Sequence, residues 1–152
     1  PYSFMAPTYQ NEPGLSTGLG ILNQILNDVL EAGIQKQDIY FLGFSQGACL
    51  TSEFVARHAD TYGGVFIYSG GVIGDKVDRT PYEGDFGGTP ILLGCSDVDT
   101  HVPLHRVQES SKIFEEMGAK VIEKIYPNGP HTVYPDEIDI TNKIIGGTYE
   151  LQ

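Results

Sequence analysis

Four short apolar runs, separated by stretches of helical periodicity, constrain this chain more than any other feature. They are Ile39-Tyr40-Phe41-Leu42, Val65-Phe66-Ile67-Tyr68, Ile91-Leu92-Leu93 and Val121-Ile122-Glu123-Lys124-Ile125-Tyr126. A run that is apolar at consecutive positions has no polar face to offer to water, so it predicts a strand covered on both sides. The fourth run carries Glu123 and Lys124 and is predicted at a sheet edge. Leu15, Leu19, Leu22, Ile25, Leu26, Val29 and Leu30 recur at spacings of three and four, which predicts an amphipathic helix ending near Gly33. Its start falls at Asn11-Glu12-Pro13, with Asn11 or Glu12 near the cap and Pro13 in the first turn. Further helices are predicted over Ala48–His58, Leu104–Met117 and Pro135–Ile145. Strands alternating with helices define an α/β chain with a mostly parallel sheet flanked by helices. Residues 70–90 are rich in Gly and Asp and lack periodicity, and a connection that long is expected to serve as a lid or pocket wall.

The length of 152 residues fits one domain, and 40% hydrophobic residues suffice for a core. Lys and Arg total 9 against 20 Asp and Glu, a formal net charge of −11. That balance excludes nucleic acid as a partner and argues against docking on anionic lipid, since both need a positive surface. Cys49 and Cys95 lie in apolar runs and read as buried free thiols. No apolar run is long enough to span a membrane and no secretory signal is recognisable, so a cytoplasmic location is expected.

The chemistry begins at Gly43-Phe44-Ser45-Gln46-Gly47, a Gly-x-Ser-x-Gly string between a predicted strand and a predicted helix. Such a turn is tight enough that side chains at both flanking positions are expected to clash. It leaves the Ser45 hydroxyl exposed and sets the Gln46 N–H at a helix N-terminus, where it can stabilise an oxyanion. The bare pattern arises by composition about 0.1 times in a chain of this size, so its weight comes from the strand and helix around it.

A serine nucleophile needs a base, and the base needs an orienting acid, in the chain order Ser, acid, His. Asp97 and Asp99 follow the third predicted strand within Gly94-Cys95-Ser96-Asp97-Val98-Asp99-Thr100-His101-Val102-Pro103. His131 follows the fourth, on Tyr126-Pro127-Asn128-Gly129-Pro130-His131. All lie at C-terminal strand ends, where parallel sheets carry their sites. His58, near a helix end, reads as a C-terminal charge partner. His101 and His105 with the two aspartates mimic a metal cluster, but no open ligand set accompanies them and no metal is expected.

These strings, with Asn11-Glu12-Pro13-Gly14 and Gly129-Pro130-His131, resemble the phospholipase/carboxylesterase family of α/β-hydrolases, which includes acyl-protein thioesterases. The resemblance runs to about Ile145. It implies Ser45 as nucleophile, His131 as base and the Gln46 N–H as an oxyanion donor. It selects Asp99 over Asp97, because the family acid stands three residues before a Val-Pro pair. Thr100 and Pro130 depart from the family pattern, and Pro130 removes a backbone donor and stiffens the His131 loop. The family's upstream strand and His-Gly loop, source of a second oxyanion donor, have no counterpart here. Residues 1–152 are therefore expected to form the C-terminal portion of a single α/β-hydrolase domain lacking its N-terminal strands, with Pro1–Pro7 matching a strand tail and pocket loop.

The implied function is hydrolysis of a small ester or thioester through an acyl-enzyme on Ser45, without a cofactor. Tyr2, Phe4, Met5, Gly70, Gly71, Val72 and Ile73 are expected near the acyl pocket. A catalytically inactive fragment and a small-molecule binding module on the same fold stand as alternatives, and a homodimer stays open.

Overall fold

The computed structural model describes residues 3–151; Pro1 and Tyr2, assigned above to the strand tail and the pocket, lie outside them. Eight principal elements follow in chain order: α1 (Gly14–Glu31), β1 (Tyr40–Phe44), α2 (Gln46–Arg57), β2 (Gly64–Tyr68), β3 (Pro90–Ser96), α3 (Leu104–Glu116), β4 (Lys120–Tyr126) and α4 (Pro135–Ile145). Short 3-10 turns at Thr8–Asn11 and Lys36–Asp38 flank α1 and β1. The strands form one sheet in the order β1-β2-β3-β4, every pair parallel. Parallel pairing requires crossovers, which α2 supplies between β1 and β2, the irregular segment 69–89 between β2 and β3, and α3 between β3 and β4. Four parallel strands flanked by helices make the mostly parallel α/β sheet that the sequence predicts.

Period-two alternation divides the core between the two sheet faces. Val65 and Ile67 of β2, with Ile91, Leu93 and Cys95 of β3, pack under α2 and α3 against Phe54, Val55, Val107, Ile113 and Phe114. Phe66, Tyr68 and Leu92 point the other way, against Ile140 of α4. Tyr68 Oη bonds Thr141 Oγ1 at 2.5 Å, satisfying a phenol that would otherwise be buried without a partner. β2 is buried at all five positions, as a continuous apolar run requires.

β4 lies at an edge as predicted. β1 does not behave as the buried strand its composition suggests. Its alternate residues Tyr40, Leu42 and Phe44 are 39%, 58% and 40% exposed. The reason is tertiary: α4 contacts β2 and β3, and among the described residues no strand pairs with the outer side of β1. Ile25 on α1 is likewise exposed, whereas Leu15 and Leu26 reach the core. Pro13 occupies the cap position of α1, and the Glu12 carboxylate just before it accepts the Ser16 N–H at 3.1 Å.

Residues 70–89 are fastened from below by α2 and α3. Buried Glu53 accepts Ile73 N–H at 3.0 Å and Tyr82 O–H at 2.6 Å, while Arg106, 2% exposed, donates to the carbonyls of Val72 and Gly74. With that many charge-assisted bonds the segment is held in place and is not the lid expected, and of its residues only Ile73 borders the cavity beside Ser45.

Candidate active site

The strand register brings the site together. Phe44 pairs with Tyr68, Tyr68 with Gly94, and Ser96 with Tyr126, so the C-terminal ends of all four strands lie side by side. Ser45 stands between β1 and α2 at φ 55°, ψ −116°, a conformation that costs a non-glycine residue about 1–3 kcal/mol. Two contacts hold it there. Its N–H donates to Tyr68 O at 2.9 Å, and its C=O accepts from Cys49 N–H at 3.0 Å. Gly43 is required, since a Cβ there would overlap the Gly47 carbonyl. Gly47 is not: nothing lies within 4 Å of where its Cβ would be, so the expected clash exists on one side of the serine only. Gln46 opens α2, where an N–H has no intrahelical partner and faces outward along the helix axis.

Ser45 Oγ lies 2.8 Å from His131 Nε2, and His131 Nδ1 lies 2.6 Å from Asp99 Oδ2. The other Asp99 oxygen accepts the backbone N–H groups of His101 and Val102 at 2.7 and 2.8 Å. Burial opposes ionisation of Asp99, yet the His131 bond and these two N–H bonds outweigh it and hold the carboxyl below its usual value. A carboxylate fixed at both oxygens has one orientation to offer its histidine. Asp97 takes a different part: exposed at the surface, it accepts the Asn128 N–H at 2.7 Å and anchors the loop that leads to His131.

Beneath Asp99, the Cys95 thiol lies 3.8 Å from Oδ2. Burial, reinforced by the Asp99 charge, pushes this thiol up to about 12, so it stays protonated and is a weak donor to the carboxylate. Cys49 borders the cavity, and burial pushes it up to about 11, which keeps it from acting as a nucleophile. Neither cysteine is in a disulfide. The His131 ring sits between Phe44 and His101, with ring centres 5.0 and 4.7 Å away. Among the described residues no three His, Cys, Asp or Glu side chains converge as metal ligands would. His58 is not the cationic cap expected: it packs on Phe54, and burial lowers its pKa.

In front of Ser45 opens a cavity of about 860 Å³. Phe4, Leu15, Leu50 and Ile73 give it an apolar floor, while Gln46, Thr100 and His101 lie at its polar side. Of the expected pocket residues, Phe4 and Ile73 line it. Met5, Gly70, Gly71 and Val72 do not. Gly70 lies so close to α2 that a Cβ would overlap Ala48, Gly71 faces Ser110 and Arg106, and Val72 is wholly buried in the core. Sequence reasoning did not assign Leu15 and Leu50 to the cavity. The three-and-four spacing marks Leu15 as inward-facing, without telling core from cavity.

A serine on a strand-to-helix turn, bonded to a histidine that is bonded to a buried aspartate, stands at the strand ends of a sheet of α/β-hydrolase form. The chain belongs to the phospholipase/carboxylesterase family, whose model matches residues 2–147. It is 46% identical to a phospholipase/carboxylesterase of Dyadobacter fermentans, with a TM-score of 0.93 over 95% of this chain and 69% of that one. It is also 31% identical to acyl-protein thioesterase 1 of Aspergillus fumigatus, over 86% of this chain and 56% of the relative. Identity to acyl-protein thioesterase 1 of Kluyveromyces lactis is 30%, over 68% of this chain and 46% of that protein. The chain thus spans about half the length of the curated relatives it matches. Those relatives are carboxylesterases and acyl-protein thioesterases by name, and no helix among the described residues is long and apolar enough to cross a membrane.

Proposed function

We propose that the protein cleaves small carboxylic esters or thioesters through an acyl-enzyme on Ser45. The observation that carries this reading is the unbroken contact chain from Ser45 Oγ through the His131 ring to Asp99, at 2.8 and 2.6 Å. Ser45 Oγ attacks the acyl carbon while His131 Nε2 takes its proton. Asp99 keeps the remaining N–H on Nδ1 and stabilises the imidazolium. Collapse of the tetrahedral intermediate expels the alcohol or thiol, which leaves with the proton from His131. Water, deprotonated by the same nitrogen, then attacks the acyl ester, releases the acid and restores Ser45. The Gln46 N–H is one donor to the oxyanion, and a single such donor is worth about 10²–10³ in rate. The apolar floor at Phe4, Leu15, Leu50 and Ile73 receives the acyl chain.

All three reacting side chains come from one chain, so the reading requires no homodimer. Free, buried Cys49 and Cys95 fit a cytoplasmic protein. Ser45→Ala abolishes hydrolysis of p-nitrophenyl acetate and labelling by a fluorophosphonate probe; hydrolysis retained in that variant overturns the assignment.

A further inference from the structure

Glu137 is a buried carboxyl near the site that the proposed cycle leaves unused. It lies at the third position of α4, with no exposed surface. Its Oε2 accepts the Tyr134 N–H at 2.7 Å. Its Oε1, alone among buried side-chain polar atoms of the described residues, has no hydrogen-bond partner. The space it fills exists because β3 carries glycine at position 94: a Cβ there would overlap Glu137 Oε1. One carboxyl therefore touches both arms of the candidate site. Gly94 lies on the strand that runs on to Asp99, and Tyr134 closes the loop that carries His131.

That loop is also anchored at its start, where Asp97 accepts the Asn128 N–H. Tyr134 Oη donates to Pro130 O at 2.6 Å, and the Tyr134 ring stacks on Tyr126 at 3.9 Å. The Glu137 bond ties the Tyr134 backbone to the first turn of α4, and the same side chain packs against Gly94 of β3, so one carboxyl sits between the loop and the sheet. An orphaned buried oxygen is a standing cost, and an apolar residue of the same length would avoid it. The acceptor at Oε2 is what such a residue would lose.

We propose that Glu137 is a positioning residue for His131, tying the histidine loop to β3 so that Nε2 stays within bonding reach of Ser45 Oγ. This rests on the reading of His131 as the base. Burial pushes the Glu137 carboxyl up to about 7, against the bond from Tyr134 N–H and with the help of the Asp136 charge. The neutral acid is the form that tolerates a lone oxygen in an apolar slot.

The test compares Glu137→Met with Glu137→Gln. Both keep the chain length of glutamate, but only glutamine can accept the Tyr134 N–H. Two quantities are read: kcat and KM for p-nitrophenyl acetate, and the far-downfield proton resonance of His131 Nδ1–H. The expected result is that Glu137→Met lowers kcat by about 10- to 100-fold with KM unchanged, since small misplacements of a reacting group cost that much. It also shifts or broadens the resonance, and Glu137→Gln restores both. The inference is overturned if the methionine variant matches wild type in both readouts. It is also overturned if folded Gln and Met variants are equally impaired, which marks a general packing role. If wild-type protein hydrolyses nothing, the proposed function fails by itself, while the resonance still decides whether Glu137 orders His131.

Discussion

Asp99→Asn tests the candidate site most sharply, because the surroundings of Asp99 decide which way the amide must point. Oδ1 accepts two backbone N–H groups, from His101 and Val102, at 2.7 and 2.8 Å. In the variant the amide carbonyl stays on that side. Reversing it would set an –NH2 against two donors, whereas leaving it in place sets an –NH2 against one ring nitrogen. The amide therefore donates to His131 Nδ1, which must present a lone pair. The ring proton moves to Nε2, 2.8 Å from Ser45 Oγ, and that nitrogen can no longer accept the serine proton. A wrong tautomer in this arrangement costs about 10⁴ in kcat, which at 1.36 kcal/mol per tenfold is about 5 kcal/mol of barrier. KM stays near wild type, because Asp99 does not line the cavity. The control is Asp97→Asn, whose amide oxygen can still accept the Asn128 N–H, so its rate stays within about twofold, as for an ordinary surface change. Both variants are assayed with p-nitrophenyl acetate over a range of concentrations. The reasoning fails if Asp99→Asn keeps more than about a tenth of wild-type kcat, or if Asp97→Asn loses more than Asp99→Asn.

Two further outcomes concern stability. The Glu137 carboxyl is raised from 4.5 to about 7, so the folded state holds this proton more tightly than the unfolded chain does, and stability falls as pH rises between those values and levels off above them. The facing groups from the other elements are Tyr68, Cys95, Tyr126 and Tyr134, with Asp136 on the same helix, and none of them is a cation that would compensate. Glu137→Gln removes that part of the slope, on the order of 3 kcal/mol at most, seen as urea midpoints that converge with wild type near pH 5 and exceed it near pH 8; parallel pH curves would refute it. The two glycines of the serine turn should separate cleanly. Gly43→Ala costs about 3 kcal/mol because its methyl meets backbone, whereas Gly47→Ala is neutral or stabilising by up to about 1 kcal/mol as a helix position with open space, both read from urea unfolding.

The strands and helices were legible because each is announced locally. β2 and β3 are apolar runs of the right length, and α4 begins at Pro135, which can start a helix but not continue one. What stayed hidden depends on coverage. Tyr40, Leu42 and Phe44 are as strand-forming as Phe66 and Tyr68, and only the position of α4 makes one set exposed and the other buried. The pocket shows the same division. Gly70 and Gly71 suggested a wall at the site, but their missing side chains make room for Ala48, Ser110 and Arg106 instead. Of the candidate catalytic groups, Ser45 and His131 announced themselves by their place after a strand, while the choice of Asp99 needed the resemblance. In space that choice is physical: two successive N–H groups can be offered to the residue that opens the turn, and Asp99 opens it where Asp97 does not. Glu137 could not be seen at all, since a glutamate in the first turn of a helix is an ordinary capping residue. Its role depends on a glycine in a distant strand. Parallel in-register strands bring Ser45 and His131, 86 residues apart, into contact at 2.8 Å, and by the same geometry bring Gly94 under Glu137. A site built across strand ends needs such ties, because each loop is local to its own strand; the Asp97–Asn128 bond is one and the Glu137 carboxyl between Tyr134 and Gly94 is another.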